Sequence, residues 1–297
     1  MSNALEWLQF VLAPQMINGL SIGVAVALMA LGLTIIFGLL DVINMAHGEF
    51  YAIGAYLAVA LLGLGLSFWW ALALTPLLMA VLGYATERGL IQRVFHSKDR
   101  HTLTLLLTFG VAVVLEDALK IVFGANPLRM EAPISGATEM VGLFFPNYRL
   151  FVMLFGGALI AAVWLLVFRT SVGAVVRAAA YDRHMSASLG VPVHRVYAAT
   201  FAFGVALAGI AGVLLAPIYS VFPTMGRDFV LIAFSVVIIG GMGSIKGAVL
   251  AGLLLTQVQS ISSLYISPVW SDPLLFGIMV LVLMWRPQGL FGKLGSA

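Results

Sequence analysis

Residues Leu31 to Leu62 read LGLTIIFGLLDVINMAHGEFYAIGAYLAVALL and set Asp41, Asn44, His47 and Glu49 between two runs of almost purely apolar residues. An unpaired charge near a bilayer centre costs at least about 2.5–3.5 kcal/mol, so such residues face a bundle interior or a watery path. The stretch therefore predicts a broken helix beside a pathway. At about 1.5 Å per residue, Leu31–Leu40 is too short to cross a hydrocarbon core of about 30 Å and is expected to form a half-helix.

Composition sets the class around this stretch. Hydrophobic residues make up 62% of the chain and charged residues 9%, against about 25% charged in an ordinary soluble domain. The expectation is an all-α, polytopic membrane protein. With a span needing about 20 apolar residues, the chain has room for about eight to ten transmembrane or partial spans in a single domain, residues 1–297. The apolar segments are Gln9–Ala30, Leu31–Leu40, Phe50–Leu66, Phe68–Tyr84, Thr102–Phe123, Leu150–Phe168, Tyr197–Tyr219, Phe229–Ile239, Ala248–Leu264 and Leu274–Trp285. The opening MSNALEWLQF lacks a basic region, so no removable signal peptide is expected. The absence of cysteine excludes disulfides and thiolate metal sites.

Basic residues mark sides. Arg88, Arg93, Lys98 and Arg100 share one connection; Arg169, Arg177, Arg183 and Arg195 share another; Lys246 lies in a Gly-rich turn and Arg286 and Lys293 at the tail. By the positive-inside rule these regions, and with them the C-terminus, are cytoplasmic. Whether Met1 lies inside or outside depends on the reading of Leu31–Leu40 and stays open. The Gly124–Arg149 connection, broken by Asn126, Pro127, Pro133, Gly136 and Pro146, reads as an external loop, and Asp228 and the SPVWSDP turn around Asp272 fall on the same side. Trp69, Trp70, Trp270 and Trp285 suit interfacial belts. Clustered basic residues beside spans are explained by orientation, so nucleic acid is not an expected partner.

LTIIFGLLDVINMAHGEFYAIGAY and LIAFSVVIIGGMGSIKGAVLAGLL each read as an apolar half, a polar or small-residue break and a second apolar helix. Corresponding interrupted spans point to a transporter site, though two Gly-broken helices also arise by chance in a Gly-rich membrane chain. Two readings of Asn44 to Glu49 stand: residues lining a pathway, or residues that cap and pin a helix start, with Asn44 as cap and Glu49 favoured by the dipole.

Other motifs carry little chemistry. GLSIG at Gly19–Gly23 matches a nucleophile pattern but lies in an apolar helix, where small residues four apart serve close packing. H-x-E at His47–Glu49 lacks further ligands for a metal. Glu116 and Asp117 with Lys120 form an intrahelical pairing near the outer end, expected to keep both acids hydrated. No P-loop occurs, and Lys246 in IIGGMGSIKGAVL is misplaced for one, so ATP must be bound elsewhere if it powers transport. Arg177 to Gly204, RAAAYDRHMSASLGVPVHRVYAATFAFG, predicts a short polar helix, a break at Gly190 and Pro192 and a return into the membrane, the longest cytoplasmic excursion.

Three stretches carry a resemblance: GLTIIFGLLDVINMAHGEFYAIGAYLA, RAAAYDRHMSASLGVPVHRVYAATFAFGVALAGIAGVLLAP, and VVIIGGMGSIKGAVLAGLLL with the tail LMWRPQGLFG. Through nearly its whole length the chain resembles the membrane permeases of branched-chain amino acid ABC importers, of the LivH type. The resemblance implies a type II-like, all-helical importer subunit in a bacterial inner membrane. Its implied partners are a second similar permease, two cytoplasmic ATPase subunits that hold ATP and Mg, a periplasmic or extracellular solute-binding protein and membrane lipid. No cofactor is implied in this chain, and it is not an enzyme. Ala178, Ala179, Ala180 and Gly190 match the family's ATPase-contacting loop, which makes Arg177 to Pro192, with Asp182 and Arg183, the coupling element within a loop of about 170–196. Asn44, Ala46, His47 and Glu49, with Gly240, Gly241, Gly243 and Ser244, fall around the translocation route. Glu116 and Asp117 depart from the family's amide-type residues, which leaves urea, short amides or small carboxylates as alternative solutes to Leu, Ile and Val. A reading of a different class is an ion-coupled secondary transporter using Glu49, Glu116 and Asp117 as a relay.

Overall fold

The computed structural model describes residues 7–95, 97, 99–140, 143–267 and 270–292. Lys98, Lys293 and the Pro268–Val269 part of the SPVWSDP turn lie outside them, as does the side chain of Asp272. Apolar runs without breakers become helices, in order α1 (Ala13–Leu40), α2 (His47–Gly63), α3 (Phe68–Thr86), α4 (Arg100–Phe123), α5 (Asn147–Arg169), α6 (Ser171–Tyr181), α7 (Arg183–Ser188), α8 (Val193–Leu215), α9 (Met225–Gly240), α10 (Ile245–Ser262) and α11 (Ser271–Trp285). A π turn, Glu87–Ile91, prolongs α3 to a last short turn at Gln92–Val94. Helices α1, α3, α5, α8 and α10, with their extensions, are long and apolar enough to cross a membrane.

The half-helix expected at Leu31–Leu40 is not there. Nothing between Ala30 and Leu31 terminates a helix, and α1 runs 28 residues without interruption, a length of about 42 Å. Its glycines are kept by packing, since a β-carbon at Gly32 would sit 2.5 Å from the carbonyl oxygen of Gly204 in α8. The break itself begins at Asp41, where the polar residues of the sequence place it. The expected ten apolar segments thus become nine membrane-length or shorter apolar helices among the described residues.

Helix directions follow from side-chain contacts. The start of α1 meets the end of α10, where Gln15 Nε2 donates to the Ser260 carbonyl at 2.7 Å and Ser260 Oγ returns a bond to the Gln15 carbonyl at 2.7 Å. The end of α1 meets the start of α10 through Gly38 and Gly243. GLSIG lies on this seam: Gly19 faces Gln257 and Ser260, Gly23 faces Thr256, and Ser21 Oγ donates to the Asn18 carbonyl at 2.8 Å. The expectation of close helix packing there holds. The end of α4 lies against the second half of α2, with Tyr56 and Phe123 ring centroids 4.6 Å apart, and α3 and α5 start together through Phe68 and Tyr148 at 5.9 Å.

Arg100, Arg183 and Met242–Gly243 gather around one cavity at one end of the bundle, together with Asp41. This basic end also receives the tail, whose Leu290 N–H donates to the Ile239 carbonyl at 2.7 Å. Nine helices running alternately between the two ends place the start of α1 opposite the tail. Helices α1 and α8 form the centre; Leu77, Val81, Val114, Ile121, Leu154 and Met284 on peripheral helices are exposed, as a lipid-facing rim requires. Trp69, Trp70 and Trp270 are exposed at the far end and Trp285 at the basic end.

The connection after α4 contains more order than a loop. Strands β1 (Ala137–Met140) and β2 (Leu143–Pro146) pair antiparallel, with Thr138 opposite Phe145. Leu128 and Val221 exchange backbone hydrogen bonds at 2.8 Å, tying this connection to the α8–α9 link.

Candidate functional site

The first break begins at Asp41, whose φ of 53° is the left-handed conformation that ends α1 and whose N–H donates to the Phe37 carbonyl at 2.8 Å. Aspartate is among the few non-glycine residues that adopt that conformation at modest cost. Here Arg100 Nη2 grips the Asp41 carboxylate at 3.1 Å and His101 stands 3.4 Å away. The chain then turns back into the bundle without helical bonds. Thr108 Oγ1 donates to the Ile43 carbonyl and accepts from the Met45 N–H, each at 3.2 Å, about 12 Å along α4 from Arg100.

Helix α2 consequently starts inside the bundle. His47 Nε2–H donates to the carbonyl of Met29 at 3.0 Å, 11 residues before the end of α1, or about 16 Å in depth. Ala46 is the N-cap and no side chain caps the turn. The expectation of Asn44 as cap is corrected: its Oδ1 accepts from the Ala46 N–H at 3.1 Å, closing the linker instead of the helix. His47 N–H bonds the Asn44 carbonyl at 3.2 Å within the linker, and Phe50 N–H makes the first helical bond, to the carbonyl of the N-cap Ala46, at 3.1 Å.

Four buried polar atoms in this turn lack protein partners: Asn44 Nδ2, His47 Nδ1, Glu49 Oε2 and the Tyr51 hydroxyl. Their residues are at most 3% exposed. Buried polar groups are nearly always paired, so this cluster makes the turn the candidate site. The donors are an amide NH₂ and a hydroxyl; the acceptors are an imidazole nitrogen and a carboxylate oxygen. Helix α9 packs directly on this turn: Gly226 lies on the Glu49 carboxylate, and a β-carbon on Gly48 would lie 2.7 Å from Val230 Cβ.

The second break is of another kind. Gly241 and Gly243 have φ of 100° and 80°, which glycine alone adopts at low cost, and Ser244 Oγ caps α10 by accepting from the Gly247 N–H at 3.2 Å. Gly240 packs on Gly247, and Gly289 and Gly292 of the tail close over Gly241. Gly240, Gly241, Gly243 and Ser244 therefore sit at the basic end, while Asn44, Ala46, His47 and Glu49 sit deep in the bundle. The two sets do not share one shell. At the basic end a cavity of about 460 Å³ is lined by Asp41, Met242 and Gly243 with Arg100, Ala179, Ala180 and Arg183; of the two sets only Gly243 lines it.

That cavity also brings in the excursion. Thr170 Oγ1 caps α6 by accepting from the Gly173 N–H at 3.1 Å; Asp182 then separates α6 from α7, its Oδ1 accepting from the N–H groups of His184 and Met185 at 2.8 and 2.9 Å. Arg177 donates to the Val167 carbonyl and stacks on Phe168. Ala179 is buried against the bundle while Ala178 and Ala180 are exposed. Gly190, with φ of 86°, and Pro192 lead into α8. The exposed apolar side chains Tyr181, Met185 and Leu189, missed in the sequence, follow a four-residue spacing on this surface.

Glu116 also departs from expectation. Lys120 pairs with it at 2.7 Å and with Asp117 at 3.2 Å, but Glu116 is buried and additionally receives Arg227 from α9 at 2.6 Å; only Asp117 stays in solvent. Sequence spacing reveals neighbours on one helix and is silent about a partner 111 residues away.

Comparison with known proteins bears on this arrangement. Residues 15–283 match the family described as branched-chain amino acid transport system / permease component. The chain is 31% identical over 294 residues to the high-affinity branched-chain amino acid transport system permease protein LivH of Salmonella typhimurium, covering 94% of this chain and 95% of that one. Over the same shares it is 31% identical to BraD of Pseudomonas aeruginosa. It is also 29% identical to the permease protein LivM of Escherichia coli, over 89% of this chain and 67% of that one. No solved structure matches. With the match running from the first turn of α1 to the end of α11, the chain belongs to the family of branched-chain amino acid transport system permease components.

Proposed function

We propose that this permease is the membrane subunit of an ATP-driven ABC importer that carries amino acids into the cytoplasm, those with branched side chains foremost. The observation that carries the reading is the uncapped start of α2 inside the bundle, with its four unpartnered polar atoms. A helix start favours a carboxylate through its N–H groups and dipole, and Asn44 Nδ2 adds a donor. His47 Nδ1 and Glu49 Oε2 offer acceptors to an ammonium group in the same turn. Donors and acceptors at one turn suit a zwitterion better than a uniformly charged solute.

Orientation follows from charge: the basic end is cytoplasmic by the positive-inside rule, and with it the C-terminus and α6–α7. Partner ATPases, holding ATP and Mg, would dock on Tyr181, Met185 and Leu189, as a helix presented to a groove requires. A second permease subunit fits the similarity to both LivH and LivM, and a periplasmic or extracellular binding protein would deliver the solute to the far end of the inner-membrane complex. The Gly48–Gly226 contact closes the α2 turn, so passage needs α9 to separate from α2, a rocking of packed elements driven from the basic end.

The test of the solute is competition in vesicles carrying the complete complex. Unlabelled leucine, isoleucine and valine are expected to suppress uptake of labelled leucine, while urea, acetamide and acetate leave it unchanged. Suppression by urea or acetate at equal concentration, with none by the branched amino acids, would contradict the proposal.

A further inference from the structure

At the basic end four elements meet on one aromatic ring. Phe95, which follows the last turn of the α3 extension, is buried. The guanidinium carbons of Arg100 and Arg183 lie 5.4 and 5.5 Å from its ring centroid, and Tyr197 packs edge-on at 5.4 Å. Arg100 opens α4, Arg183 opens α7 and Tyr197 belongs to α8. Arg100 in turn holds the Asp41 carboxylate that terminates α1. An unbroken series of contacts therefore runs from the excursion to the first break: Arg183, Phe95, Arg100, Asp41.

The chemistry of the series depends on the ring. Two guanidinium groups repel each other; Asp41 pairs with Arg100, and beside Phe95 both guanidinium groups meet the negative potential of the aromatic face, which an aliphatic side chain of similar bulk lacks. The geometry points to Phe95 as a positioning residue that transmits movement of α6–α7 to Asp41, and so to the linker that sets the depth of the α2 start. The inference rests on the importer reading above. A core-filling role for Phe95 makes a different prediction, because leucine would then serve nearly as well.

The experiment uses the complete complex, with ATPase subunits and binding protein, in proteoliposomes, and reads solute carried per ATP hydrolysed. Phe95→Leu should keep hydrolysing ATP while that ratio falls about tenfold, the effect of losing two ring–cation contacts; Phe95→Tyr, which keeps the ring, should retain the ratio. Arg183→Gln should lower it too, and the double variant Phe95→Leu with Arg183→Gln should be little worse than Phe95→Leu alone. A wild-type ratio in Phe95→Leu, or losses that multiply in the double variant, would overturn the proposal. If Phe95→Leu does not assemble with its partners, Arg183→Gln decides, and an unchanged ratio there overturns it equally. Wild-type uptake in vesicles lacking the ATPase subunits would instead overturn the importer reading itself.

Discussion

Arg227, at the start of α9, reaches 2.6 Å from the carboxylate of Glu116 on α4. The pair ties α9, which packs on the α2 turn, to a peripheral helix at the far end. Lys120 reaches the same carboxylate from within α4. Only the first contact restrains α9. Arg227→Gln is therefore expected to change the solute dependence of uptake, whereas Lys120→Gln, which leaves the α4–α9 tie in place, has the smaller effect. Parallel uptake curves for the two variants check this.

Gly48 and Gly110 form a matched pair of substitutions. A β-carbon at Gly48 would overlap the Gly226 carbonyl and stand 2.7 Å from Val230, while none of the surrounding atoms lies within 4 Å of one at Gly110. Forcing bulk into packed sites costs about 1–3 kcal/mol. Gly48→Ala should lower the unfolding temperature of the purified permease and depress uptake. Gly110→Ala should leave both unchanged, as thermal unfolding in detergent would reveal.

Glu49→Gln keeps the shape of the α2 turn and removes its anion. If that carboxylate receives the solute ammonium, half-saturating solute concentration rises about ten- to a hundredfold, the size of a lost hydrogen bond to a charged group. Assembly with the partners should be unaffected. Initial uptake rates over a range of leucine concentrations give the answer.

Asp182 accepts two N–H bonds at the start of α7. Removing such a cap costs about 1 kcal/mol, here in a six-residue helix otherwise held through Arg183 on Phe95 and the buried Ser186. Asp182→Ala should let ATP hydrolysis continue while uptake falls, with insertion intact; Asp182→Asn, which keeps the acceptor, should restore coupling. Paired hydrolysis and uptake assays measure this directly.

Much of this architecture is legible in the sequence because membrane helices announce themselves by apolar length. The polar residues between Leu40 and Phe50 announce a break for the same reason, as does the cluster Gly240, Gly241, Gly243 and Ser244. That α1 is one helix is harder to read. Leu31–Leu40 looks short only when severed from Gln9–Ala30, and no breaker separates them. Depth is the other hidden quantity. Spacing does not say that the linker climbs along α4 to Thr108, which sets Asn44 to Glu49 far from Gly240 to Ser244 although the two breaks look alike in sequence. Asp41–Arg100, Glu116–Arg227 and the Phe95 cluster all join distant segments, and a single sequence carries no signal for such pairs.

The central claim is that this permease conducts its solute only when driven by separate ATPase subunits. Uptake of labelled leucine into proteoliposomes, with and without those subunits and the binding protein, tests it most directly. Accumulation should require both partners together with ATP and Mg. Accumulation against a gradient by the permease alone, under an imposed proton or sodium gradient, would contradict the account.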